Sequence, residues 1–284
     1  MENGSNSRLL HAIIKGIRLP NLLLILLFHF LVYIKFFNES DPHIFFLLAA
    51  SVLVFMAGAN LENDLKDLYA DRMNRKTNFY HVYRAEFLKI LPYVLYGLSL
   101  FGFYIFLYRI KMTSWILYFI SITILMINYN HILKKMPFLG NFIISLLSMI
   151  VIIQLLIFFP ASMEAARILV LLGFIIFFVT LNREMLKDLE DRKGDRRAGY
   201  YTLATLSPDK TFKIIFFQSV VTLILLSVLI LHLQNTYSVL FYVGVFLFQL
   251  FILMNLFKLK KSVKTLKNLH KWLIFMGIAG IAVL

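Results

Sequence analysis

The sequence predicts an all-α polytopic membrane protein with nine transmembrane helices, its N-terminus in the cytoplasm and its C-terminus outside. Three observations predict it. Of the 284 residues, 60% are hydrophobic and only 15% are charged, against roughly 45–50% and 25% in soluble domains. The apolar residues gather into runs of about 17–25, the length that crosses a bilayer as a helix. The alternating pattern of a transmembrane barrel strand is absent from the sequence, and a helix satisfies its own backbone hydrogen bonds in lipid.

The chain opens on an amphipathic stretch, residues 1–19. Arg8, His11, Lys15 and Arg18 fall on one helical face, and Leu9, Leu10, Ile13, Ile14 and Ile17 on the other. That pattern reads as a helix lying in the membrane interface. It lacks a small-residue cleavage site, so it is not read as a signal peptide. Spans follow at about 21–37, 43–61, 88–107, 113–132, 138–159, 166–186, 212–233, 238–257 and 268–284. Together residues 1–284 are expected to form a single integral-membrane domain.

Basic residues set the orientation. If the nine helices alternate from a cytoplasmic N-terminus, 25 of the 29 Lys and Arg lie inside; Lys35, Arg109, Lys111 and Arg167 lie outside. Such asymmetry follows the positive-inside rule. The net charge of +14 is then loop charge facing anionic lipid, the Lys258–Lys271 cluster included, rather than a nucleic-acid surface. No cysteine is present, which excludes disulfides, thiolate metal sites and cysteine nucleophiles. The seven histidines show no ligand spacing.

Acidic residues are scarce, and nine of the 15 fall in two short stretches, 62–71 and 184–195. Each stretch lies at the cytoplasmic end of a span, the second and the sixth. Asp64, Asp67 and Asp71 recur as Asp188, Asp191 and Asp195 at a constant offset of 124, and Leu65 recurs as Leu189. The pattern suggests an internal repeat of a four-helix unit. On a helix Asn63, Asp67 and Asp71 form one stripe, as do Asp188, Asp191 and Asp195. Three carboxylates on one face at a membrane boundary are costly unless cations neutralise them. Hard oxygen ligands select Mg²⁺, Ca²⁺ or Mn²⁺, and Mg²⁺ typically bridges carboxylates to phosphate oxygens. Two such stripes describe a cradle for a metal-bound diphosphate. Interleaved Arg72, Arg75, Lys76, Arg183, Lys187 and Arg192 are placed to contact the same anion.

At these residues the sequence resembles the UbiA family of intramembrane prenyltransferases. The first motif reads Asn63-Asp64-x-x-Asp67-x-x-x-Asp71-Arg72-x-Asn74. The second reads Arg183-Glu184-x-x-Lys187-Asp188-x-x-Asp191-x-x-Gly194-Asp195-x-x-x-Gly199-x-x-Thr202-Leu203. It is similar to the branch that makes ether lipids and the chlorophyll and homogentisate-derived prenyl products. Arg18-Leu-Pro20-Asn21 and Tyr129-Asn-x-x-x-Lys134-Lys135-x-x-x-x-Gly140-Asn141 add to the resemblance. There is one departure. After Asn74 the family usually continues Lys/Arg-Pro-x-Arg-Pro-Ile, whereas this chain continues Arg75-Lys76-Thr77-Asn78-Phe79-Tyr80.

The resemblance implies Mg²⁺-dependent transfer of a polyprenyl group from a prenyl diphosphate to a lipid or aromatic acceptor, with release of diphosphate. It implies Asp67, Asp71, Asp191 and Asp195 as metal ligands, acting with Lys187 and Arg183 in catalysis. Asn63, Asp64, Arg72, Asp188, Tyr129, Lys134, Arg18 and Asn21 are the expected substrate-binding residues. A geranylgeranylglycerol-phosphate-like or homogentisate-like acceptor is expected, and a hydroxybenzoate or dihydroxynaphthoate quinone precursor is the alternative. The expected setting is a bacterial or archaeal-type plasma membrane with the site at its cytoplasmic face, among membrane lipid and without an obligate protein partner. An ion or metabolite transporter fits less well, because the acids gather at one face and not near the midplane.

Overall fold

The computed structural model describes residues 13–74, 76, 78–82 and 86–284; Arg8, Leu9, Leu10, His11, Arg75 and Thr77 lie outside them. All regular structure among the described residues is helical. In chain order the helices are α1 (Leu19–Phe36), α2 (Pro42–Lys66), α3 (Leu68–Met73), α4 (Phe79–Val82), α5 (Leu91–Arg109), α6 (Ile116–His131), α7 (Leu139–Phe158), α8 (Met163–Arg197), α9 (Leu203–Leu206), α10 (Pro208–Leu231), α11 (Thr236–Asn255) and α12 (Val263–Gly280). Each of the nine apolar runs overlaps one of these helices.

Seven of the helices, α1, α2, α5, α7, α8, α10 and α11, are long and apolar enough to cross a membrane. The short α6, with 16 residues, falls below that standard, as does α12, which carries Lys264, Lys267 and Lys271. Outward faces carry large apolar side chains such as Phe101, Leu117, Phe217, Leu240 and Met254. Exposed apolar side chains of this kind are suited to lipid rather than water.

By contacts the chain divides into two compact units, one taking in the residues up to Tyr33 with Asn38–Leu133, the other Ile34–Phe37 with Lys134–Leu284. In the first unit α2 starts at Asp41, whose carboxylate accepts the His43 N–H at 2.8 Å, with Pro42 at the first helical position. Proline suits that position because its missing N–H would have had no intrahelical partner. Packing runs along α5, with α6 beside both. Small residues let the two helices approach. A Cβ at Gly102 would collide with the Ser51 hydroxyl, and one at Gly58 would meet the Pro92 carbonyl at 3.0 Å. Phe103 stacks on Phe119 at 3.9 Å between ring centroids and joins α5 to α6.

Ile13 and Ile17 pack on a cluster built around Leu61, Phe79 and Tyr80. Of the three isoleucines in the described part of that stretch, Ile14 alone is exposed.

In the second unit the organising element is α8, an unbroken helix of 35 residues. It starts at Ser162, whose hydroxyl accepts the Ala165 N–H at 3.1 Å. A helix of that length extends about 52 Å, well beyond a hydrocarbon core of about 30 Å. Its polar half, from Arg183 onward, stays helical because Arg, Glu, Met, Leu and Lys are all good helix formers. Four helices, α7, α9, α10 and α12, pack on it. Leu181, Met185, Leu186, Ile215, Leu256 and Leu266 form the centre of this core, each 2% exposed or less.

Candidate active site

The first acid motif lies in the first unit. The stripe expected from an uninterrupted helix is modified there. Helix α2 ends at Lys66, Asp67 is its cap, and α3 starts at Leu68. The break is local, because Asp67 N–H still bonds the Asn63 carbonyl at 2.9 Å and Asp71 N–H the Asp67 carbonyl at 2.7 Å. A side chain from downstream spans the break. Asn78 Nδ2 donates to the Asp64 backbone carbonyl at 2.6 Å and to Asp71 Oδ2 at 2.8 Å.

Arg18 reaches this motif. Its guanidinium lies 3.4 Å from Asp64 Oδ1. The arginine has φ 56°, a left-handed conformation uncommon outside glycine, so the chain accepts local strain where this pair forms. Asn60 Nδ2 holds the preceding turn through the Ile17 carbonyl at 3.0 Å. Asn21 donates its backbone N–H to the Arg18 carbonyl at 2.8 Å, and Arg72 is exposed. Tyr80 is buried beside the motif, its N–H donating to Asn78 Oδ1 at 2.9 Å. Burial, with the Asp64 charge nearby, holds its phenol above the usual tyrosine range, so it stays a donor, to the Leu88 carbonyl at 3.3 Å.

The first unit also holds a buried carboxylate to which the sequence assigned no role. Glu62 is fully buried. Its Oε2 accepts Tyr96 Oη at 2.8 Å and Asn130 Nδ2 at 2.9 Å, and its Oε1 lies 3.4 Å from His131 Nε2. These partners stand on α5 and α6, so the cluster ties three helices together. Tyr129, the tyrosine singled out by its motif, is 9% exposed beside Asn130. Spacing alone gave no signal for Glu62, whose partners are 34 and 68 residues away.

The second motif lies in the second unit, on α8. Asp191 and Asp195 are 7% and 8% exposed. Asp188 accepts Asn141 Nδ2 at 2.9 Å, which gives the Gly140-Asn141 motif a function at the start of α7. Arg183 and Lys187 both pair with Glu184, Lys187 at 3.6 Å. Glu190 points elsewhere and pairs with Lys267 of α12. Lys135 connects the preceding loop to the motif's end. Its ammonium sits 5.3 Å from the Tyr200 ring centroid, and its carbonyl accepts the Tyr201 N–H at 3.1 Å. Lys134 precedes it in the same short 3₁₀ turn.

The tail of the second motif is helix punctuation. Gly199 has φ 77°. Tyr200 N–H bonds the Asp195 carbonyl at 2.9 Å and Gly199 N–H the Arg196 carbonyl at 3.3 Å. This is the paired closure in which a left-handed glycine ends a helix. Thr202 then caps α9, its hydroxyl accepting the Thr205 N–H at 3.3 Å. Gly199 and Thr202 thus stop α8 one turn past Asp195.

The chemistry of this donor set is that of carboxylate and amide oxygens, suited to a hard divalent cation. Among the described residues no group of three or more His, Asp or Glu forms a ready-made metal cage.

The UbiA prenyltransferase family model matches residues 22–277. A curated relative from Methanothermobacter thermautotrophicus, named digeranylgeranylglyceryl phosphate synthase, is 34% identical over 164 residues, covering 56% of this chain and 55% of that protein. One of the same name from Methanosphaera stadtmanae is 29% identical over 199 residues, covering 69% of this chain and 70% of that protein. The chain therefore spans about half the length of the first of these relatives. Among solved structures, one described as digeranylgeranylglyceryl phosphate synthase in membranes has TM-score 0.73 at 20% identity and covers 98% of this chain and 100% of its own. A UbiA homolog from Archaeoglobus fulgidus bound to GPP and Mg²⁺ has TM-score 0.68 at 15% identity, covering 95% of this chain and 99% of its own. Both show the same fold.

Proposed function

The chain belongs to the UbiA prenyltransferase family, and from that premise we propose that it transfers a polyprenyl group from a prenyl diphosphate to a glycerol-phosphate-type lipid acceptor, releasing diphosphate. The observation that carries this reading is the second motif, with Asp191 and Asp195 buried on one unbroken helix whose end is fixed by Gly199. The carboxylate donors of this motif suit a hard divalent cation such as Mg²⁺. The relatives named as digeranylgeranylglyceryl phosphate synthases favour the glycerol-phosphate acceptor. The GPP and Mg²⁺ bound to the Archaeoglobus homolog support the donor and the metal.

Asp67, Asp71, Asp191 and Asp195 are the proposed Mg²⁺ ligands, and both motifs serve one diphosphate. When bound, Mg²⁺ supplies Lewis-acid neutralisation of the leaving diphosphate. Arg183 and Lys187, held by Glu184, stabilise the negative charge that builds on it as the allylic C–O bond breaks. Asn63, Asp64, Arg72, Asp188, Tyr129, Lys134, Arg18 and Asn21 bind and orient the substrates. Aromatic faces lining the reaction region stabilise the allylic cation; a desolvated cation–π contact is worth about 2 kcal/mol. The prenyl tail lies in lipid between helices, which favours binding by about 0.8 kcal/mol per CH₂.

Residues 1–284 form one integral-membrane domain in this reading, crossing nine times from a cytoplasmic N-terminus to an outer C-terminus. The active site faces the cytoplasm of a bacterial or archaeal-type plasma membrane. The distribution of Lys and Arg, 25 inside and 4 outside, supports the orientation.

The test is reconstitution of the full chain in liposomes with labelled geranylgeranyl diphosphate and an acceptor panel of geranylgeranylglyceryl phosphate, homogentisate and a hydroxybenzoate. The expected result is Mg²⁺-dependent diphosphate release with a prenylated glycerophosphate detected by mass spectrometry. Release in excess chelator would overturn the metal mechanism. Product from an aromatic acceptor alone would move the chain to the quinone or homogentisate branch.

A further inference from the structure

Asn78 lies outside both aspartate motifs, in the loop where the sequence departs from its family's pattern. It occupies the position of the pattern's second arginine, while Lys76 and Phe79 occupy the positions of the two prolines. Its side chain is 2% exposed and fully engaged. Nδ2 donates to the Asp64 carbonyl at 2.6 Å and to Asp71 Oδ2 at 2.8 Å, while Oδ1 accepts the Tyr80 N–H at 2.9 Å. These partners fix the amide orientation. Two acceptors face one end and a donor faces the other, so a flipped amide would set oxygen against oxygen twice.

The three contacts join elements that the backbone separates. Asp64 stands in the last turn of α2, where carbonyls lack intrahelical partners, and Asn78 supplies one. Asp71 stands beyond the break, on α3. Tyr80 opens the chain that leaves the motif. One buried amide thus spans the break at Asp67 and couples the Asp71 carboxylate to the end of α2. A proline in such a loop would fix φ covalently; here hydrogen bonds from a side chain do the fixing.

We infer that Asn78 is a positioning residue for the metal–diphosphate reaction: it orients the Asp71 carboxylate toward the metal and does not itself touch substrate. The inference rests on the reading of Asp71 as a Mg²⁺ ligand. A hydrogen-bond partner behind a metal-binding carboxylate matters for its aim, and losing such a partner typically costs 10–100-fold in metal affinity or activity.

The experiment uses the full chain purified in lipid nanodiscs. Mn²⁺ binding is followed by EPR in the presence of a non-hydrolysable geranylgeranyl diphosphate analogue, beside the Mg²⁺ dependence of diphosphate release. Asn78→Ala and Asn78→Asp should each weaken Mn²⁺ binding by roughly tenfold or more and raise the half-saturating Mg²⁺ in parallel. In an Asp71→Asn background, Asn78→Ala should add almost nothing. Asn78→Asp keeps the size of asparagine and its acceptor for Tyr80 N–H, so it carries the test if the alanine variant does not fold. Mn²⁺ affinity within about twofold of the parent in both variants would overturn the inference. So would melting temperatures lowered in both with affinity kept, since that marks a structural peg, or an equal Asn78→Ala effect with and without Asp71. If the parent chain binds no Mn²⁺, the proposed function itself fails.

Discussion

The two aspartate motifs carry the same three-residue spacing on two different backbones. The second rides on α8, unbroken for 35 residues, and hydrogen bonding along one helix fixes the relative placement of Asp188, Asp191 and Asp195. The first crosses a break at Asp67 between α2 and α3, so the helix alone does not set where Asp71 points. Side chains set it instead. Asn78 bridges Asp64 and Asp71, and Arg18 meets Asp64. A repeated sequence pattern therefore keeps the chemistry of the ligands without keeping the means of holding them. A regular helix concentrates its dependence on the acids themselves. A broken one spreads it over residues that lie outside the motif.

The largest effects are expected at the acids in either motif. Asp191→Asn and Asp67→Asn should each lower turnover by roughly 10²-fold or more, the cost of misplacing reacting groups, while leaving a folded membrane protein by circular dichroism. Near-normal turnover in either would break the parallel between the motifs. Asn141→Ala comes next, because it removes the amide that holds Asp188. A loss of about tenfold in kcat/KM is expected, in the range for a partner that orients a functional carboxylate; no change would mean that the helix alone places Asp188.

Smaller effects sharpen the contrast. Gly199→Ala places a Cβ on a left-handed residue with open space around it, so only backbone strain counts. A cost of about 1 kcal/mol in stability follows, read as a lower melting temperature with turnover nearly kept. The smallest effect belongs to Glu190→Gln. Glu190 lies between Asp188 and Asp191 in sequence but pairs with Lys267 on another face, and a partly exposed ion pair is worth about 0–1 kcal/mol. Turnover should stay near that of the parent in a standard diphosphate-release assay.

Much of the helical layout was legible in the residues, because long apolar runs have few other solutions in a bilayer. The ends were not. Hydropathy placed the sixth span's end near 186, whereas α8 continues to Arg197, since charged residues that leave the membrane are still good helix formers. The second span likewise runs to Lys66 instead of 61. The aspartate ladder was legible from its offset of 124. The break at Asp67 was not, and neither was the side chain that spans it, 14 residues from Asp64. Glu62 was counted among the acids, but its role depends on Tyr96, Asn130 and His131, which only folding brings to it. The pairing of Arg183 and Lys187 with Glu184 was likewise not legible, because side-chain rotamers decide which neighbour each cation meets.

We propose, from the shared spacing of the two motifs in the sequence, that both act on one diphosphate. A double-mutant cycle on Asp67→Asn and Asp191→Asn tests it most directly, with turnover measured at saturating prenyl diphosphate and Mg²⁺. Residues that work as a unit are strongly non-additive. The combined substitution should therefore cost little more than the worse single one. If the two losses multiply, the motifs act independently and the shared diphosphate is wrong.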